Sequence, residues 1–406
     1  MSNIQKVTFT GAQNDTLAAR LDLPAGPVRA FAIFAHCFTC TKDIFAAKRI
    51  ASELATRGIA VLRFDFTGLG ASEGEFANTN FSSNVNDLKA AAAWMEENYE
   101  APQILVGHSL GGAAVLSAAG DLPSVKAVAT LGAPAEASHV SHLFVDDIEA
   151  IEQHGEAEAT IGGRPFKVQK QFLDDISQTK VLDKVAKLRA ALMVMHSPID
   201  GTVGVENATK IFMASKHPKS FVSLDYADHL LSRPEDSANA GAVIAAWASR
   251  FLPKTEEQTR SYPTHVVVSE TGQGKFQNTI HAGDHHLLAD EPKDVGGLDS
   301  GPAPYDFVSM ALGACTSMTL RMYADFKKID LGRISVQVDH GKVHAKDCAD
   351  CAQELRDKPG KVDRFERRIK VEGLDPDMEA KIIEIANKCP VHRTLEHGAA
   401  VVTKVS

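Results

Sequence analysis

The sequence has no run of lysine and arginine, no apolar stretch of membrane length, no internal repeat and no low-complexity segment. Each absence closes off a class of function. Nucleic-acid binding draws on clustered positive charge, whereas here the formal net charge is -9 and the basic residues are dispersed. A membrane helix needs about 18 consecutive apolar residues, and runs such as 30–35 fall far short. The opening MSNIQKVTFT lacks the charged-then-apolar pattern of a secretory signal, which predicts a cytoplasmic protein. Cysteine is also sparse. Six residues in 406 (Cys37, Cys40, Cys315, Cys348, Cys351 and Cys389) argue against a disulfide framework, so each is judged as a free, catalytic or metal-bound thiol.

What is present is an ordinary globular composition, 44% apolar and 23% charged, in a chain too long for one core. From 28 to 251, short β-branched runs alternate with longer amphipathic stretches, the pattern of a parallel sheet with helices on both faces. Strands are expected at 30–36, 59–66, 103–109, 125–132, 191–197 and 220–226; several are apolar throughout, as strands buried on both faces are. The rhythm lapses at about 135–190, which reads as a small cap of short helices and a turn. LPKTEEQTRSYP then reads as a linker, giving a first domain at 1–252, a linker at 253–262 and a second domain at 263–406. In the second, alternating runs are separated by two long helices, an α+β pattern.

The strand QILVGHS runs straight into GHSLGGAAVLSAAG and sets Ser109 in a G-x-S-x-G turn between strand and helix. Glycines flank the serine because the turn is sharp, and the helix start behind it offers N–H groups to an oxyanion. A serine nucleophile needs a base and a carboxylate that orients the base, in the chain order serine, acid, histidine. Asp200 follows the strand ALMVMHS and His229 the strand SFVSLDY, so they are the candidate acid and base, with Asp225 and Asp228 as rival acids. His36 and His108 are expected to pack beside the turn, and Asp65 to brace the loop at 65–74.

RFDFTGLGASEGEF (63–76) and GHSLGG resemble the α/β-hydrolase superfamily, in particular small esterase- and acyl-peptidase-like members with short caps. The resemblance covers the first 252 residues. Its oxyanion loop reads His-Gly-x, matched here by His36, Cys37 and Phe38, with cysteine in place of glycine. The match implies the backbone N–H groups of Phe38 and Leu110 as oxyanion donors. Cys37 and Cys40 form a C-x-x-C, but without a surrounding thioredoxin pattern they are expected to be structural thiols.

In the second domain, YDFVSMALGACTSMTLRMYADF is apolar on almost every face and should be a helix buried at the domain centre or a subunit interface. Cys315 lies in its middle, and Cys389 directly precedes a proline that can open another helix, where the dipole favours a thiolate. ALGACTSMTLRMYA and NKCPVHRTL resemble the two cysteine motifs of the OsmC/Ohr family over about 140 residues. The resemblance implies that one cysteine reduces a hydroperoxide, becomes a sulfenic acid and is closed to a disulfide by the other, which a thiol reductant reopens. It points to Cys315 as the attacking thiol, while the helix-start position points to Cys389. It also implies a homodimer through this domain. One departure stands out: Tyr305, with Asp306 beside it, occupies the place of the family's glutamate, and the early hairpin offers only Lys275 where an arginine is usual.

His340, His344, Cys348 and Cys351 have a spacing that zinc could use, but they fall toward an exposed polar loop and no metal is expected. His281, His285 and His286 read as a solvated loop. The combined expectation is a serine hydrolase of small carboxylic esters or related acyl bonds, joined to a thiol domain with hydroperoxide reductase activity. Its partners are a small acyl substrate, an organic hydroperoxide and a thiol reductant, with no cofactor, nucleic acid or membrane. Two other readings stay open: a stress-response thiol peroxidase with an accessory hydrolase half, or a second domain that serves only for dimerisation or binding.

Overall fold

The computed structural model describes residues 3–252 and 265–405 apart from positions 273, 284 and 352. The chain divides into two compact units, Met1–Ser261 and Tyr262–Ser406. The linker expected at 253–262 lies outside the described residues.

The first unit is built on an eight-stranded sheet. Its strands are β1 (Asn3–Thr10), β2 (Thr16–Leu23), β3 (Ala30–Ala35), β4 (Ile59–Phe64), β5 (Ile104–His108), β6 (Ala127–Leu131), β9 (Ala191–His196) and β10 (Lys219–Ser223). Their order is β1-β2-β4-β3-β5-β6-β9-β10. From β4 to β10 all neighbours run parallel, while β1 and β2 join antiparallel at one edge. The buried strands obey the two-residue alternation of a pleat. Ala30, Ala32 and Phe34 face a core shared with helices α1 (Phe45–Ala55) and α8 (Pro234–Ala248). Phe31, Ile33 and Ala35 face the opposite core, shared with α2 (Phe81–Asn98), α3 (Leu110–Ala118) and α7 (Glu206–Ala214).

Between β6 and β9 lies the cap. It holds a 3-10 segment (Ala137–Asp147), short helices α4 (Ile148–His154), α5 (Lys170–Gln178) and α6 (Val181–Lys187), and a hairpin of β7 (Glu156–Ile161) and β8 (Arg164–Gln169). The hairpin was not among the expected elements, although EAEATI and RPFKVQ alternate about a Gly-Gly pair. Gly162 and Gly163 both have positive φ (59° and 76°), which a two-residue hairpin turn demands.

In the second unit, β11 (Val266–Glu270), β12 (Asn278–Ala282) and β13 (His285–Ala289) form an antiparallel sheet, and β14 (Ile334–His344) pairs along its length with β15 (Lys361–Val371). The long helix α9 (Pro304–Lys327) packs on β14, and α10 (Gln353–Arg356), α11 (Glu379–Ala386) and α12 (Pro390–His397) follow. Leu320, Ala324, Leu331, Ile382 and Ile385 make the core, with Ile369 and Val371 of β15 against it. Within the chain α9 is buried along one stripe only; Met310, Met318, Met322 and Phe326, at helical spacing, are exposed. His281 and His286 are cross-strand partners with rings 4.6 Å apart, so the three histidines lie in strands rather than a loop. Among the described residues no helix is long and apolar enough to cross a membrane.

One buried charge pair ties the antiparallel edge to the parallel sheet. Arg63 of β4 donates to Asp22 of β2 (2.8 Å and 3.3 Å) and to the carbonyl of Lys42, and both side chains are 1% exposed. Removing only the cation would strand a carboxylate in the core. Arg63→Met should therefore destabilise the first unit by about 3–5 kcal/mol, and the double change with Asp22→Leu by clearly less, measured by urea unfolding.

Candidate active site

Strand β5 is fully buried and ends at His108, after which the chain reverses sharply into α3. Ser109 sits on that reversal with φ 55° and ψ −126°, a conformation that costs a non-glycine residue of order 1–3 kcal/mol. The flanking glycines are steric requirements. A Cβ on Gly107 would lie 2.4 Å from the carbonyl of Gly111, and one on Gly111 2.3 Å from that of His36.

The other two residues arrive on loops that leave the same edge of the sheet, Asp200 after β9 and His229 after β10. His229 Nδ1 lies 2.7 Å from Asp200 Oδ2, and Nε2 3.0 Å from Ser109 Oγ. Asp200 Oδ1 accepts from the N–H groups of Thr202 and Val203, both at 2.9 Å. Burial opposes its ionisation, but the hydrogen bonds from His229 and Val203 prevail and hold the carboxyl below its ordinary range. An ionised Asp200 puts the proton of His229 on Nδ1 and leaves Nε2 to accept from the serine hydroxyl. The rival acids are elsewhere: Asp225 is exposed, and Asp228 accepts from Ser232 N–H.

Two histidines brace this arrangement. His108 is buried, which pushes its pKa down to about 4, so it is neutral near pH 7. It therefore donates from Nε2 to the carbonyl of His229 at 2.6 Å. His36 donates from Nδ1 to the carbonyl of Cys37 (2.8 Å), its own pKa lowered by burial. Asp65 accepts from Ala71 N–H, as expected of a brace for 65–74, and also from the N–H and Nζ of Lys42.

Among the described residues, the N–H groups of Phe38 and Leu110 donate to no protein acceptor. Phe38, Ser109 and Leu110 line an open cleft together with Val140, Leu143 and Val203. Cys37 and Cys40, expected as free structural thiols, are disulfide-bonded to each other.

In the second unit Cys315 and Cys389 are the two free cysteines. They are hydrogen-bonded to each other, with Cys389 as the N-cap of α12. Burial pushes both thiols up. For Cys315 that direction stands, reinforced by its bond to Cys389. For Cys389 it is outweighed by hydrogen bonds from Cys315, the His392 N–H and Thr316, so the thiol is lowered. Tyr305 supplies no carboxylate here. Its ring stacks on His340 at 4.1 Å, Asp306 caps α9, and Lys275 lies over Phe276.

A cation nevertheless reaches one of the thiols, from the late strand β15 rather than the early hairpin. Arg367 of β15 donates to Thr316 Oγ1 (2.8 Å), Asn387 Oδ1 (2.8 Å) and the carbonyl of Ala386 (3.1 Å), and interacts electrostatically with Cys389. The alternation in FERRIKV was the available signal, since Phe365, Arg367 and Ile369 share one face. Cys348 and Cys351 are disulfide-bonded, and His340 bonds Asp363 at 2.9 Å.

Comparison with known proteins follows the same division. Residues 26–141 match the family described as "Serine aminopeptidase, S33", and residues 297–404 the family described as "OsmC-like protein". The esterase domain of a Rhodothermus marinus protein is 50% identical, covering 61% of this chain and 99% of that one with a TM-score of 0.52. The mitochondrial palmitoyl-protein thioesterase ABHD10 of Rattus norvegicus is 32% identical over 152 residues, 36% of this chain and 46% of its own. The chain thus spans about half the length of the curated relatives it matches. The structure of alpha/beta hydrolase domain-containing protein 10 from mouse, at 22% identity and a TM-score of 0.52, shares the fold.

The opposite displacements of the two thiols have a direct spectroscopic consequence. Ultraviolet thiolate absorbance should rise in two steps, because the pair titrates as a unit with the first proton lost below the ordinary thiol range and the second above it. Cys389→Ser should abolish the early step. A single step at the ordinary thiol value in the wild type would contradict the asymmetry.

Proposed function

The chain belongs to the α/β hydrolases through its first unit and to the OsmC-like proteins through its second, and on that premise we propose that it hydrolyses small carboxylic esters or thioesters by an acyl-serine mechanism. The observation that carries this reading is the unbroken hydrogen-bonded series from Ser109 through His229 to Asp200. Ser109 Oγ attacks the acyl carbon as His229 Nε2 takes its proton, and Asp200 stabilises the resulting imidazolium. The N–H groups of Phe38 and Leu110 receive the negative oxygen. His229 then protonates the departing alcohol or thiol, and water, deprotonated by the same imidazole, releases the acid. The apolar lining of the cleft suits a short acyl chain.

For the second unit, the proposed reaction is hydroperoxide reduction by the Cys315–Cys389 dithiol, regenerated by an external thiol. A thiol of lowered pKa, a cation and a second thiol converge there, which favours this over a pure binding module. The exposed apolar row on α9 supports a homodimer formed through this unit.

Ser109→Ala should lower turnover of p-nitrophenyl esters by roughly 10⁴-fold or more with the fold intact. Asp200→Asn should cost about 10³–10⁴ in kcat with little change in KM, and Asp225→Asn almost nothing. If Asp225→Asn is the damaging change, the acid has been misassigned.

Reduced protein exposed to cumene hydroperoxide should yield a tryptic Cys315–Cys389 disulfide by mass spectrometry. Light scattering should report twice the mass of the chain. Both thiols remaining free would leave the second unit as an assembly or binding module.

A further inference from the structure

Cys37 stands where the hydrolase resemblance expects glycine, and its bond to Cys40 encloses the oxyanion loop in a four-residue ring. Inside the ring are Phe38, whose N–H is the proposed oxyanion donor, and Thr39, which has a positive φ of 56°. A threonine in that region is strained and returns to ordinary backbone unless something holds it. Three restraints do so. The Cys40 N–H donates to the Cys37 carbonyl at 3.1 Å, the Thr39 carbonyl accepts from Arg164 of the cap hairpin, and the disulfide closes the ring. Only the last can be opened and remade by chemistry. Cys37 is buried but Cys40 is partly exposed, so a thiolate can approach one sulfur of the bridge.

We propose that Cys37 and Cys40 are positioning residues for the oxyanion hole, and that their disulfide is a switch holding the first site in its active form. The proposal rests on the acyl-serine reading given above. In the reaction that opens the switch, one thiolate of a dithiol attacks Sγ of Cys40 and displaces the Cys37 thiolate. The second thiol then resolves the mixed disulfide. Two electrons and two protons pass from the dithiol to Cys37 and Cys40, and the dithiol becomes a disulfide. Phe38 N–H is then no longer directed at the developing oxyanion, which weakens an interaction made mainly in the transition state. The loss accordingly falls on kcat rather than KM.

The test uses the full-length chain with dithiothreitol as the dithiol. Thiol alkylation and mass spectrometry follow the state of each cysteine while p-nitrophenyl ester turnover is measured. Quantitative opening of the 37–40 bridge should reduce kcat by at least about tenfold, with KM within about twofold, and reoxidation should restore it. A Cys37→Ser/Cys40→Ser variant should be slow and indifferent to dithiothreitol. Unchanged kcat with the bridge open, a change confined to KM, or a response that persists in the variant would overturn the switch; persistence would assign the effect to another cysteine pair. Because recovery on reoxidation is read in the wild type, the test stands even if the variant folds poorly. Fluorophosphonate labelling separates the two readings. If the oxidised wild type neither turns over esters nor labels Ser109, the acyl-serine reading fails and the switch with it. If it does both but ignores reduction, only the switch fails.

Discussion

The backbone of Gly111 lies so near the carbonyls of Ala35 and His36 that even a methyl group would be excluded. This approach presses the start of α3 against the loop leaving β3, and the first site follows from it. It brings Phe38 and Leu110 to one cleft with Ser109. The strain of the serine's backbone is tolerated because β5 and α3 are buried throughout, so no relaxed alternative keeps both packed. His229 then reaches the serine only because its own loop is held, and His108, neutral by burial, does so from within the same turn. A pair of adjacent residues thus supplies both the proposed nucleophile and the anchor of its base.

The second site is organised on a different principle. Here no strained turn presents a side chain; two thiols are packed together and distinguished by what surrounds each sulfur. Both sulfurs have a hydroxyl and a backbone group of the α12 start beside them, but Cys389 alone also has a nearby guanidinium, that of Arg367. The asymmetry places the more acidic thiol at the buried position and the less acidic one where access is easier. Acidity and access therefore point to opposite members of the pair, the same division that the sequence left between resemblance and helix position.

Much of this was legible in the chain itself. Continuous apolar runs marked the inner parallel strands to within a residue or two, because a strand buried on both faces has no polar side to obscure it, while the half-exposed edge strand β10 ends three residues before its expected end. Ser109, Asp200 and His229 were readable because each follows such a strand, so strand ends predict where side chains gather. What escaped was either amphipathic or distant. The antiparallel pair β1–β2 and the cap hairpin lie outside the parallel rhythm of continuous apolar runs. Arg367 is 22 residues before Cys389 on a strand whose charge pattern looks solvated, and only the packing of β15 beneath α11 and α12 turns it inward. Pairing of Cys37 with Cys40 was hidden for another reason: a C-x-x-C spacing permits a bridge but does not require one.

Both bridges span only three positions, Cys37 to Cys40 and Cys348 to Cys351, and the remaining two cysteines are free. A cross-link restricts the unfolded chain by a constant plus a term in the logarithm of the loop it closes, so bridges this short withdraw about 2 kcal/mol each of conformational entropy, less than a bridge across a long loop would. They stitch no distant segments together and contribute little to the order in which the chain finds its fold. Opening either leaves the packing of the sheet and helices as it is. What each bridge fixes is the shape of four residues, and the hydrophobic cores hold the rest.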